Sequence, residues 1–144
     1  MVKKIVVGVL LGFIIGGIAI QFLPYGHDHT NPPATAEPQW DSPHTRDLAV
    51  RACYDCHSNQ TAWPWYSNIA PISWLIQHDV VEGRSRLNFT DWNAPQREAD
   101  NAARIVQRGE MPQSYYVMLH PSANLTAAEK QTLIKGLQAS VGGN

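Results

Sequence analysis

Cys53-Tyr54-Asp55-Cys56-His57 is the stretch on which the reading of this chain turns. It holds the only two cysteines among 144 residues, too few for a disulfide scaffold. A C-x-x-C pair also serves thioredoxin-like redox chemistry, but that motif needs a βαβ setting, and no short window here alternates well enough to be a strand. A zinc site would need a second pair of ligands, and His57 directly follows Cys56, which is not zinc spacing. A plain disulfide in an oxidising compartment is the third alternative. The full pattern C-x-x-C-H is that of c-type haem attachment. Two thiols at this spacing reach the two vinyl groups on one porphyrin edge, and the adjacent imidazole swings under the ring to the iron. This reading gives one haem c per chain, bound at Cys53 and Cys56, with His57 as an iron ligand.

The segments around this stretch have helical periodicity. Upstream, Arg46 to Ala52 places Leu48, Ala49 and Ala52 on one face. Downstream, Pro71 to Glu82 predicts a helix that Gly83 ends, with Trp74, Leu75, His78 and Val81 along one side. Pro95 to Arg108 predicts another, closed by Gly109. Thr126 to Ser140 is the clearest: Thr126 and Glu129 form a capping box ahead of the apolar stripe Leu133, Ile134 and Leu137. The expected fold is all-α and cytochrome c-like. A domain of about 100 residues with long connections has a thin core, and a buried prosthetic group supplies the missing apolar contact.

Farther out, the N-terminus is apolar. Lys3 and Lys4 precede a run from Ile5 to Leu23 interrupted only by Gln21. At about 1.5 Å per residue such a helix matches a hydrocarbon core of about 30 Å. The two lysines hold that end in the cytoplasm and send the rest outward. Gly17-Ile18-Ala19 also resembles a signal-peptidase site, but the residues behind it stay apolar, which favours an uncleaved anchor. Gly8, Gly12 and Gly16 are read as ordinary membrane-helix glycines. The expected organisation is an anchor over 1–23, a Pro-rich linker over 24–44 and a haem domain over 45–144. His27 and His29 fall in that linker as solvated side chains. A net charge of −1 without a basic stripe excludes nucleic acid as a partner.

With His57 on one side of the iron, Met111 is the expected ligand on the other. It follows the helix-ending Gly109 and precedes Pro112, so it sits in a loop, and a thioether is a soft ligand that raises the potential. Met118, in an apolar run, reads as core; His78, His120 and His44 are the remaining candidates. The Pro71 carbonyl, or that of Pro64, is expected to receive the other ring N–H of His57. Trp63, Trp65, Tyr66, Trp74 and Trp92 are expected to wall the porphyrin, and Arg84 or Arg86 to pair with its propionates.

The stretch Cys53 to Trp74, with Trp63-Pro64-Trp65-Tyr66 inside it, resembles a family of small bacterial haem-binding domain proteins. So do Gly83-Arg84, Leu87-Asn88-Phe89, Trp92, Gly109 to Pro112 and His120-Pro121, and the resemblance spans about residues 27–140. It implies a membrane-anchored or exported monohaem cytochrome. The order of helix, C-x-x-C-H, Met-Pro loop and final helix is more distantly similar to class I cytochromes c. That likeness implies Met111 as distal ligand and the Pro71 carbonyl near His57. The expected function is one-electron transfer in the periplasm, from a single-pass position in the bacterial inner membrane. Redox proteins or a respiratory complex at that membrane are the expected partners. A haem-based sensor or peroxidase-like enzyme, with an open or displaceable distal side, is the alternative; a module in which haem completes the fold is the third.

Overall fold

The computed structural model describes residues 2–142. Among them every regular element is helical, and the only β-type pairing is an isolated bridge between Ala36 and Asp91. The all-α expectation holds. The chain divides into two compact units, residues 1–30 with 63–79, and residues 31–62 with 80–144.

The first unit begins with α1, Val2–Ala19, which a 3₁₀ turn extends through Phe22. Val2–Phe22 is long and apolar enough to cross a membrane, and none of its residues is buried. Below it, Gln21 behaves like a stretch of backbone. Its Nε2 donates to Ala70 O (3.0 Å), and its Oε1 accepts from Ala70 N (3.0 Å). The chain then turns at Gly26, φ +93°, where a Cβ would lie 2.6 Å from Ser73 Oγ and 2.7 Å from Trp74 Cδ1. Only glycine allows both that φ and that approach. Asp28 N donates to Gln77 Oε1 (3.1 Å), and His29 stacks on Trp63 while donating from Nε2 to Ser67 O (3.0 Å).

The second unit carries the core. Helices α2 (Pro43–Ala52), α5 (Ala102–Gln107) and α7 (Ala127–Ser140) surround Leu48, Phe89, Leu133 and Leu137. Helix α7 packs against both others. Its capping box is formed as expected, with Thr126 Oγ1 accepting from Glu129 N and Glu129 Oε2 accepting from Thr126 N. At the crossing with α2, Gly136 leaves no room for a Cβ beside the buried Thr45 side chain. The four-residue α3, Tyr54–His57, follows α2 almost at once, and α6 is Ser114–Leu119.

Several expectations need correction. Helix α4 runs Ile72–Arg86, straight through Gly83. Glycine there is a spacer: its missing side chain admits the Cys56 carbonyl, 2.5 Å from where a Cβ would stand. The helix expected from Pro95 starts later, because Glu98 N donates to Arg86 O (3.0 Å) and Gln96 is tied to Asn88, Asp91 and Ala94. Gly109, φ +73°, does close α5. The run around Met118 forms α6, and Met118 is 81% exposed rather than core. Residues 31–44 have little regular structure, yet they are fastened within their unit. Thr35 N and Ala36 N donate to Thr90 O, Asn59 Nδ2 donates to Pro33 O, and Glu37 takes a two-pronged bond from Arg46 (2.6 Å each).

Candidate functional site

The site grows from the end of α2. Cys53 closes that helix and α3 begins at once, so Cys53, Cys56 and His57 share one tight turn in which Cys53 O accepts from both Cys56 N and His57 N. The two cysteines are not bridged. Enclosure pushes the Cys53 thiol up to about 12, and the neighbouring Cys56 adds to the effect. A thiol that stays protonated is a poor zinc ligand and a poor nucleophile for disulfide exchange. Among the described residues no group of three or more His, Cys, Asp or Glu converges as a metal cluster. Cys53, Cys56 and His57 are therefore laid out side by side and do not aim at one point.

His57 is held by the chain that leaves α4. Its Nδ1–H donates to Leu87 O (3.0 Å), and its own carbonyl accepts from Phe89 N (2.8 Å). Burial pulls its pKa below the ordinary value, against the opposing carbonyls of Leu87 and Gly83. The imidazole is thus neutral with Nδ1 engaged, which leaves the Nε2 lone pair as its donor. The loop carrying Leu87 is itself fixed by buried polar groups: Asn88 Nδ2 donates to Asn59 Oδ1 (2.8 Å), and Asn59 N to Thr90 Oγ1 (2.6 Å). Behind His57 stands an aromatic group centred on Phe89, which meets His57 edge-on and Tyr54, Trp40 and Trp92 in stacked or tilted pairs.

Met111 lies in the loop after α5 and is half-buried against the same core as Cys53. Tyr116 on α6 donates to Asp55 Oδ2 (2.6 Å), which ties α6 to the residue between the two cysteines. Burial and that carboxylate keep the Tyr116 phenol protonated well above its usual range. Tyr116 also stacks on His120, whose Nδ1–H donates to Tyr116 O (3.0 Å). His44 and His78 are exposed.

The other expected site residues fall differently. The acceptor for His57 is Leu87 O, not Pro71 O, which instead accepts from Trp74 N (3.2 Å); Pro64 O accepts from Ser67. Arg84 spends Nε on Ser58 O (2.7 Å) and Nη2 on Asn31 Oδ1 and Thr61 Oγ1, which braces the loop after His57. Arg86 pairs with Glu82. Trp92 is packed on Phe89. Trp63, Tyr66, Pro71 and Trp74 belong to the first unit, whereas Cys53, Cys56, His57, Met111 and Arg84 belong to the second. Leu87 and Gly83 hold this turn in ways that motif reading does not give, although both lie in stretches that carry the resemblance. Their contributions are a carbonyl and an absence of side chain, which no spacing rule marks.

The donor set fits a covalently held iron porphyrin. Two unbridged thiols stand on one turn, a neutral imidazole presents Nε2 beside them, and a backbone cradle at Gly83 admits the second cysteine. Comparison with known proteins agrees at the level of the bound group. A family model described as a haem-binding domain matches residues 15–139. No curated protein and no solved structure shows significant similarity to the chain. The match covers most of the sequence, and the chain belongs to the haem-binding domain family.

Proposed function

We propose that this protein is a membrane-tethered monohaem c-type cytochrome that carries single electrons on the outer side of the bacterial inner membrane. The observation that carries the reading is His57, half-buried and with its pKa pulled below the ordinary value, its Nδ1 locked to Leu87 O in the same turn as two unbridged cysteines. Cys53 and Cys56 would hold the porphyrin through thioethers, and His57 Nε2 and Met111 Sδ would bind its iron. When bound, haem supplies the one-electron ferric–ferrous couple.

The chain's own residues do the rest. The Leu87 carbonyl fixes the imidazole tautomer and makes Nε2 a stronger donor. The Phe89 aromatic group keeps water from the back of His57. Asp55 and Tyr116 hold α6 against the attachment turn. Lys3 and Lys4 support a cytoplasmic N-terminus, which places the haem domain in the periplasm beside redox proteins or a respiratory complex of that membrane. If His57 and Met111 both bound the iron, no place would remain for an exogenous ligand. That favours electron transfer over sensing or peroxide chemistry.

The test begins with the mass of the denatured chain, which should exceed that of the polypeptide by one haem. A bare mass without haemochrome colour overturns the reading. Met111→Ala should turn the ferrous spectrum high-spin, admit carbon monoxide and lower the midpoint potential. The same change from Met118→Ala or His78→Ala, with Met111→Ala silent, would reassign the distal ligand. Ready carbon monoxide binding by the unmodified protein would favour the sensor or enzyme.

A further inference from the structure

The first unit has its polarity inside out. From Ala70 to Gln77, the side that faces its own unit carries Ala70 and Ser73, both buried, then Trp74 and Gln77. The side that faces away carries Ile69, Ile72 and Leu75, each 42–45% exposed at helical spacing, and Trp65 before them is 77% exposed. A water-facing surface helix has the opposite arrangement. The composition agrees: neither Ile5–His27 nor Trp63–His78 contains any Asp, Glu, Lys or Arg. This apolar strip is not remote from the membrane helix. Ala70 is joined to Gln21 by two hydrogen bonds at the very end of the span, and Gly26 packs directly on Ser73 and Trp74. Phe22, 82% exposed, and Tyr25 continue the strip from the helix end.

We propose that residues 65–75 form a membrane-surface element, with Trp65, Ile69, Ile72 and Leu75 set into the headgroup–acyl boundary at the outer end of α1. The inference rests on α1 crossing the bilayer. The occupant is lipid because the strip is continuous with the lipid-facing end of α1 and bears no charge. Its aromatic residues, Trp65 and Tyr25, are of the kind that collect at bilayer interfaces. The Gln21–Ala70 pair fixes the depth of the strip: Gln21, one residue before the end of the span, is bonded to the middle of the element.

The experiment uses the full haem-loaded chain in phosphatidylethanolamine–phosphatidylglycerol nanodiscs, with p-benzoylphenylalanine placed singly at 65, 69, 72, 75 or 13. Phe13 lies within α1 and reports the span itself. After illumination, lipid-mass adducts at 65, 69, 72 and 75 should form in yields comparable to those at 13. Adducts at 13 with none at the other four overturn this inference and leave the span intact. Chain-to-chain adducts at the four positions also overturn it. No lipid adduct at 13 overturns the span instead. A second measurement needs no substitution. In vesicles, Trp65 should be oxidised by water-borne hydroxyl radicals no faster than buried Phe89, after correction for intrinsic reactivity; oxidation at the rate of an exposed side chain overturns the inference.

Discussion

At the residue scale, the smallest side chain near the attachment turn is also among the least replaceable. Gly83 sits inside α4, where alanine would ordinarily stabilise the helix by about 0.5–1 kcal/mol. Here its Cβ would stand 2.5 Å from Cys56 O and 3.0 Å from Cys56 C, atoms of a backbone that cannot swing aside. Overpacking of that kind costs about 1–3 kcal/mol. The clash wins, and Gly83→Ala should lower the melting temperature by several degrees and reduce the haem-loaded fraction of purified protein. Unchanged melting and loading would show that α3 can shift away from α4 without cost. Cys53, Cys56 and His57 were legible because C-x-x-C-H is a pattern of local spacing that the sequence itself displays. The residues that hold this turn were not. Leu87 acts through a carbonyl thirty positions from His57, and Gly83 through room. The bracing role of Arg84 was not legible either, because Ser58, Thr61 and Asn31 meet its Nε and Nη2 only once the loop folds back.

At the element scale, the helix ends that read correctly from sequence are those set by local devices. The Thr126–Glu129 box is a local device, bonded within four residues, so pattern and structure agree. Thr126→Ala removes the acceptor for Glu129 N and should cost about 1 kcal/mol, seen as an earlier thermal transition. The path through Gly83 and the six-residue α6 depend on distant partners, Cys56 in one case and Asp55 in the other, so local propensity misjudged both. The crossing of α2 and α7 gives a sharper test. A Cβ on Gly136 would collide with Oγ1 and Cγ2 of Thr45, a side chain with no exposed surface to retreat to. Gly136→Ala should therefore destabilise by about 1–3 kcal/mol despite its better helix propensity. Thr45→Ala clears both atoms. In the double variant the two losses should add to less than their sum, as contacting sites do. Strict additivity in a denaturant titration would mean that the helices do not meet there.

At the scale of the whole molecule, long-range order in the second unit rests partly on ion pairs that span the sequence, and these make stability depend on pH. Arg51 on α2 reaches Glu129 on α7 (2.7 Å) and also donates to Ser122 O, while Arg46 grips Glu37 in the segment that composition alone describes as a loose tether. That segment reads as an extended linker because its prolines and polar residues carry no periodicity, and its anchors to Thr90, Asn59 and Arg46 form only in the folded chain. The Arg51 guanidinium, helped by Thr126, holds Glu129 at about 2, below the ordinary 4.5. Arg46 lowers Glu37 in the same way. A carboxylate whose pKa falls on folding stabilises the native state fully above its unfolded value. That contribution is lost as pH drops from about 4.5 through about 2. Glu129→Gln isolates the charge, because glutamine can still complete the capping box. The variant should melt below the unmodified protein at pH 7, and the gap should close as pH is lowered from about 4.5 toward about 2. Acid effects elsewhere in the chain act on both proteins alike and drop out of the difference. A gap that stays constant over that range would mean that the Arg51–Glu129 pair contributes nothing through its charge.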